Sequence, residues 1–187
     1  RPVALATWFG ADTLGRLIDF HMNDSGVYIT PASRGASHTS TALARLDENG
    51  AASYTFDLEW APTAPIEVPE TAQIIEAGSI SAIIEPGAAA VLDALARGRE
   101  HALVFFDPNA RPSIMGEPAV ALVSLERFIA LADVVKVSDE DIEWLTGGVP
   151  IDNVVNRWLR MGPSLVVVTR GKHGSLAVTS SGVRFTK

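Results

Sequence analysis

ALVFFDPNARPSI, residues 102–114, is an apolar run that stops abruptly on Asp107 and is followed by a set of polar groups. Ala, Leu, Val and Phe without polar alternation read as a strand buried on both faces, the pattern of a parallel sheet. Pro108 ends it. In open α/β sheets the ligand crevice lies outside the carboxyl ends of the strands, so Asp107, Asn109 and Arg111 are expected at its edge. The same layout recurs in LADVVKVSDED (131–141), whose strand ends on Lys136 to Asp141, and in SLVVVTRGKHG (164–174), which ends on Thr169 to Gly174. Three strands are thus expected to carry polar tips to one rim.

Around these strands the pattern alternates: strand 102–106, helix 117–131, strand 133–137, helices 139–146 and 151–161, strand 164–168. That order specifies an α/β fold, a doubly wound, mostly parallel sheet. Ser175 to Val178 and Val183 to Phe185 read as a closing hairpin around Ser181-Gly182. Upstream, Ala72 to Ala77 is a further strand ending at Gly78-Ser79, and Glu85-Pro86-Gly87 opens a helix that turns Val91, Leu92 and Leu95 to the sheet.

The beginning of the chain follows the same plan. Val3 to Trp8 reads as a strand, and Asp12 is placed to cap a helix over Thr13 to Ser25 with Leu14, Leu17, Ile18 and Met22 on one face. Val27 to Ile29 is the next strand. SHTSTALARLDENGAASYTFDLEW (37–60) differs, because its alternation predicts two antiparallel strands joined by a turn at Glu48-Asn49-Gly50. We read that hairpin as a lid, with Tyr54 and Phe56 on one of its faces. The expected division is residues 1–29 as the start of the α/β core, 30–64 as the small β lid, and 65–187 as the rest of the core.

Composition narrows the function classes. With 187 residues, 47% hydrophobic and 20% charged, the chain has the material for a full core. A formal net charge of −7 speaks against nucleic acid, which needs clustered Lys and Arg. No apolar run reaches the ~18 residues of a membrane span. The absence of cysteine removes disulfides and thiolate metal sites and fits a cytoplasmic location. His21, His38, His101 and His173 are scattered without ligand spacing.

Five segments carry a recognisable set of motifs in order. Gly10-Ala11-Asp12-Thr13-Leu14-Gly15 fits G-x-D-x-x-G, and the threonine-rich strand with LDENG follows it. Asp107-Pro108-Asn109-Ala110-Arg111 fits D-x-N-x-R, and Thr169-Arg170-Gly171-Lys172-His173-Gly174 fits T-x-G-x-x-G. Lys136-Val137-Ser138-Asp139-Glu140-Asp141 stands where a K-x-N-x-x-E segment is expected, with Ser138 for Asn and Asp141 for Glu. Together they resemble the ribokinase-type (pfkB) carbohydrate kinases, most closely the fructokinase-like and 2-keto-3-deoxygluconate-kinase-like members. The resemblance implies a ribokinase-like three-layer αβα fold and a cytoplasmic enzyme that uses ATP and Mg2+. It also implies a homodimer formed through the lid.

By the same resemblance, nucleotide and phosphate contacts fall to Asn109, Arg111, Ser138, Thr169, Gly171, Lys172 and Gly174, a magnesium-bound water to Asp141, and the sugar to Tyr54 and Phe56. An aromatic at Phe56, where ketodeoxygluconate kinases place an Arg, points to a neutral sugar such as fructose. The family's amino-terminal sugar-binding strands and its G-x-G-D motif, whose Asp is the catalytic base, are expected before Arg1 and after Lys187. The chain therefore reads as a central portion, inactive by itself.

Each position also has a structural reading. The Thr169 loop can be a plain turn, Asp107 and Asn109 can cap a turn while Arg111 pairs with a surface acid, and S-D-E-D is a good helix N-cap. The aromatics of the lid can pack on a neighbouring subunit. Trp144 and Trp158 are expected in the core. A sugar-acid or nucleoside kinase of the same family, a non-catalytic nucleotide- or sugar-binding module, and an unrelated doubly wound binding domain remain as alternatives.

Overall fold

The computed structural model describes residues 2–46 and 52–187, so the expected turn at Glu48-Asn49-Gly50 lies outside the described residues. The chain divides into two compact units, Arg1–Glu67 with Glu85–Ala90, and Val68–Ile84 with Val91–Lys187.

In the first unit, β1 (Val3–Leu5) is followed by β2 (Phe9–Gly10), α1 (Thr13–Asp24) and β3 (Val27–Ile29). β1 and β3 pair in parallel, and β2 pairs in parallel with β4 (Arg34–Ala36). The strand expected over Val3 to Trp8 thus ends at Leu5, and β2 begins only after Trp8. Between them the Thr7 N–H goes to Ser33 Oγ at 3.0 Å instead of to a strand, and Trp8 is buried with its indole N–H on Glu59 Oε1. β5 (Thr41–Leu46) and β6 (Ala52–Asp57) form the antiparallel pair, in register from Thr41 opposite Asp57 to Leu46 opposite Ala52.

Helix α1 begins as its sequence predicts, with the Asp12 carboxylate accepting the Gly15 N–H at 2.8 Å. Its inner stripe is different from the expected one. Gly15 is buried and Ile18 and Met22 are half-buried, whereas Leu14 and Leu17 are exposed. Gly15 lies so close to the Gly10 carbonyl that a Cβ there would overlap it. The helix docks through its smallest residue, and the stripe Gly15, Ile18, Met22 is rotated away from the leucines.

The second unit holds a six-stranded mixed sheet in the order β12-β11-β10-β9-β8-β7. Its elements are β7 (Ile74–Gly78), α2 (Gly87–Gly98) from Val91 onward, β8 (Leu103–Asp107), α3 (Pro112–Met115), α4 (Pro118–Ile129), β9 (Val134–Ser138), α5 (Asp139–Thr146), α6 (Ile151–Leu159), β10 (Leu165–Thr169), β11 (Ser175–Thr179) and β12 (Arg184–Thr186). β7 to β10 are parallel neighbours joined by helical crossovers, and β11 and β12 add an antiparallel edge. This is the α/β architecture the alternation of strands and helices specifies.

Burial alternates along β8, β9, β10 and β11. Val104, Phe106, Val135, Val137, Val166 and Val168 are fully buried, while Phe105, Val134, Leu165 and Val167 are half-buried and Leu103 is exposed. The strand at Leu103–Asp107 is therefore sealed on one face and not on both within this unit. The sealing layer is helical: Phe128 of α4 stacks on Phe106 with ring centroids 5.5 Å apart, and α2 approaches Ile75 closely at Gly98. Trp158 is buried with its indole N–H on Glu126 Oε1 at 3.1 Å, whereas Trp144 is half-buried.

Candidate functional site

The carboxyl ends of the four parallel strands lie side by side in register. Gly78 at the end of β7 is opposite Asp107 at the end of β8, Phe106 is opposite Val135 of β9, and Ser138 is opposite Thr169 of β10. Asn109, Ser138 and Thr169, distant in sequence, therefore stand at one edge of one sheet. Gly78-Ser79 adds a fourth tip that the sequence marked only as the end of a strand.

The tips are tied to one another. Lys136 Nζ lies 3.0 Å from Asp107 Oδ2, an ion pair with the two side chains 34% and 21% exposed. Asp107 Oδ1 accepts the Asn109 N–H at 3.1 Å, which bends the chain as it leaves β8. Ser138 caps α5: its Oγ accepts the Asp141 N–H at 3.0 Å, and Asp141 Oδ2 accepts the Ser138 N–H at 3.3 Å. Asp141 Oδ1 accepts the Ala110 N–H at 3.1 Å as well. The capping role weighed for Ser138 and Asp141 is present, and Asp141 also fastens the segment after β8 to the start of α5.

Asn109 adopts a left-handed conformation, with φ of 38°. Arg111 turns back on it. The Arg111 Nη1 donates to Asn109 Oδ1 at 2.9 Å, Ala110 O at 2.8 Å and Asn109 O at 3.2 Å. Its described hydrogen bonds thus go to its own loop, and the alternative reading of Arg111 as the partner of a surface acid does not describe them.

After β10, the Thr169 hydroxyl donates to the Val137 carbonyl at 3.4 Å, and the chain makes a tight turn closed by Arg170 N–H to Gly174 O at 2.8 Å. Gly171 and Gly174 both have positive φ, 51° and 80°, so the turn uses glycine at the two places where a side chain would be strained. Gly171 and Lys172 are exposed. Arg170 Nε is buried without a hydrogen-bond partner among the described residues.

In the other unit, Tyr54 and Phe56 project from the same face of β6, their rings stacked with centroids 5.9 Å apart. Their cross-strand partners are Ala44 and Ala42, too small to cover them, and Tyr54 is 58% exposed. The feet of this hairpin are anchored by two carboxylates. Asp12 Oδ2 accepts the Thr39 N–H at 2.7 Å and its Oδ1 accepts the Thr39 hydroxyl at 2.7 Å, while Thr39 Oγ1 accepts the Gly10 N–H at 3.1 Å. The N–H of Gly15 and these two Thr39 donors hold the Asp12 carboxyl at about 2, against 3.8 for an ordinary aspartate. Glu59 accepts hydrogen bonds from the Ser37 hydroxyl and the Trp8 indole, which keep it below the usual glutamate value. Ser40 Oγ bonds both the N–H and the carbonyl of Glu59, joining the two feet to each other.

No cluster of His, Asp and Glu able to hold a metal ion occurs among the described residues. No helix among them is long and apolar enough to cross a membrane.

The chain is 29% identical over 184 residues to the fructokinase of Rhizobium leguminosarum bv. trifolii, a match covering 95% of this chain and 56% of that protein. It is 30% identical over 182 residues to the fructokinase of Salmonella typhimurium, covering 90% and 57%. The chain thus spans about half the length of these curated relatives. Among solved structures, the apo fructokinase of Vibrio cholerae O395 superposes with a TM-score of 0.83 at 28% identity, covering all of this chain and 66% of the other. The same enzyme with fructose, ADP and calcium bound gives a TM-score of 0.80 at 27% identity, covering 99% and 62%. The family model of the pfkB family carbohydrate kinases matches residues 1–187, and with four strand tips meeting at one sheet edge the chain belongs to that family.

Proposed function

We propose that this protein serves an ATP-dependent sugar kinase reaction in the cytoplasm, in which the γ-phosphate passes to a hydroxyl of a small neutral sugar such as fructose. The observation that carries the reading is the convergence of Asn109, Ser138 and Thr169 at the ends of adjacent parallel strands. Phosphoryl transfer is mainly positioning and charge neutralisation, and such a rim offers donors at several points around a triphosphate.

In this reading the Thr169–Gly174 turn lies against the phosphates, where Gly171 and Gly174 allow the backbone to approach closely and Lys172 adds a cation. Asn109 and Ser138 orient the phosphate chain. Arg111 acts largely through Asn109, because its Nη1 is already committed to Asn109 and Ala110. Mg2+, when bound, would supply positive charge to offset that of the phosphates. Among the described residues no group of three or more His, Asp and Glu side chains could ligate the ion directly, so Asp141 would hold it by way of a water. Tyr54 and Phe56 lie over the sugar, and the hairpin that bears them joins two copies as a homodimer. No G-x-G-D segment occurs in residues 1–187, so none of these residues is assigned as the catalytic base.

Calorimetric titration tests this directly. ATP is expected to bind saturably and fructose to bind with an affinity that Tyr54→Ala weakens. If neither ATP nor any of a panel of neutral sugars binds, the reading fails. A preference for sugar acids or nucleosides over fructose would move it to those kinases of the family. Binding of both partners by a chain carrying a G-x-G-D segment, without transfer, would assign a non-catalytic nucleotide- and sugar-binding module.

A further inference from the structure

Ser79 and Asn109 are the non-glycine residues with positive φ among the described residues, at 55° and 38°. They are bonded to each other, the Ser79 hydroxyl donating to the Asn109 carbonyl at 3.1 Å. Each follows the end of a strand, and those ends are paired, Gly78 opposite Asp107. Gly78 lies so close to the Asp107 carbonyl that no side chain fits between them. Two strained turns are therefore locked together across the first pair of strand tips.

Asparagine tolerates the left-handed region through its short polar side chain, but serine has no such preference. If position 79 needed only the backbone shape, glycine would supply it without strain. A serine that accepts the strain is using its hydroxyl. Strained residues persist where their surroundings over-determine them, and they gather at ligand clamps.

The hydrogen bonds around Asn109 show what the clamp holds. Its N–H goes to Asp107, its carbonyl receives Ser79 and Arg111, and its Oδ1 receives Arg111. Among the described residues its side-chain Nδ2 takes no partner. We infer that Ser79 is a positioning residue for the phosphate site: by bracing the Asn109 carbonyl it fixes the conformation in which Asn109 offers its side-chain amide to a phosphate oxygen, without touching the nucleotide itself. This rests on the nucleotide reading of the rim. It adds the end of β7 to a site that the motifs place on β8, β9 and β10.

The test uses Ser79→Gly, which keeps the backbone conformation and removes the hydroxyl, and calorimetric titration of the 187-residue chain with ATP and with adenosine. Ser79→Gly is expected to lower ATP affinity about tenfold while leaving adenosine affinity unchanged, because one charge-assisted contact is misplaced. In an Asn109→Gly background the Ser79→Gly change is expected to cost nothing further. Wild-type ATP affinity in Ser79→Gly, an equal loss for adenosine, or losses that add in the double variant would each overturn the role of Ser79. Absence of ATP binding by the wild-type chain would instead overturn the nucleotide reading, and this inference with it.

Discussion

Asp141 accepts the backbone N–H of Ala110 at 3.1 Å with one carboxylate oxygen while the other closes the cap of α5 on Ser138. One side chain thus serves two segments that approach from different strands. Asp141→Ala removes the capping box partner and leaves the N–H of the buried Ala110 without an acceptor. A loss of about 1–3 kcal/mol is expected in urea denaturation. A change smaller than about 0.5 kcal/mol would mean that the link is not held in solution.

Lys136 and Asp107 make an ion pair, but the two partners are unequal. Lys136→Met removes only that contact from a partly exposed position, and less than about 1 kcal/mol is expected to be lost. Asp107→Ala also removes the acceptor for the Asn109 N–H, so about 1–3 kcal/mol is expected. Denaturation midpoints of the two variants, measured side by side, check the order. Equal losses would show that the Asn109 contact contributes nothing.

Arg111 is exposed, and its described hydrogen bonds go to its own loop. Arg111→Ala is expected to fold normally and to weaken ATP binding about tenfold. Arg111→Lys separates charge from geometry, because an ammonium cannot reproduce the planar fork. Calorimetry that finds Lys as poor as Ala identifies the brace on Asn109 as the working part, and full affinity in Arg111→Ala removes the residue from the site.

The hairpin foot at Asp12 predicts an acid-sensitive region. The folded carboxyl titrates at about 2 and an unperturbed one at 3.8, so this group favours the folded state above the higher value. That contribution is lost as pH falls from about 4 through about 2. Asp12→Asn presents an amide where Thr39 and Gly15 donate, so it is expected to be less stable at neutral pH and to lose less between those limits. Thermal midpoints measured across this range in both proteins check the slope. Parallel curves would refute the assignment.

The rim was readable because each of its three principal tips is an abrupt change from apolar to polar residues, which marks both a buried strand and its end. The spacing of Ser138 to Asp141 likewise announced a cap, and the structure forms it. Ser79 was not readable, since a Gly-Ser pair after a strand has the composition of any turn and its hydrogen bond reaches Asn109, 30 residues away. The direction of Arg111 was hidden for a similar reason: it depends on the left-handed turn at Asn109. On α1, hydrophobic periodicity pointed to Leu14 and Leu17, whereas the closest approach belongs to Gly15, a residue that hydropathy does not score as an inner position.

The bonds that join neighbouring strand tips link residues 29 to 32 positions apart, with a whole crossover helix between most of them. No tip can be organised by local structure alone, so the rim takes shape only once the sheet has closed. A molecule seated across it would work as a clasp. It would slow hydrogen exchange in all four parallel strands at once, and not merely in the loops it touches.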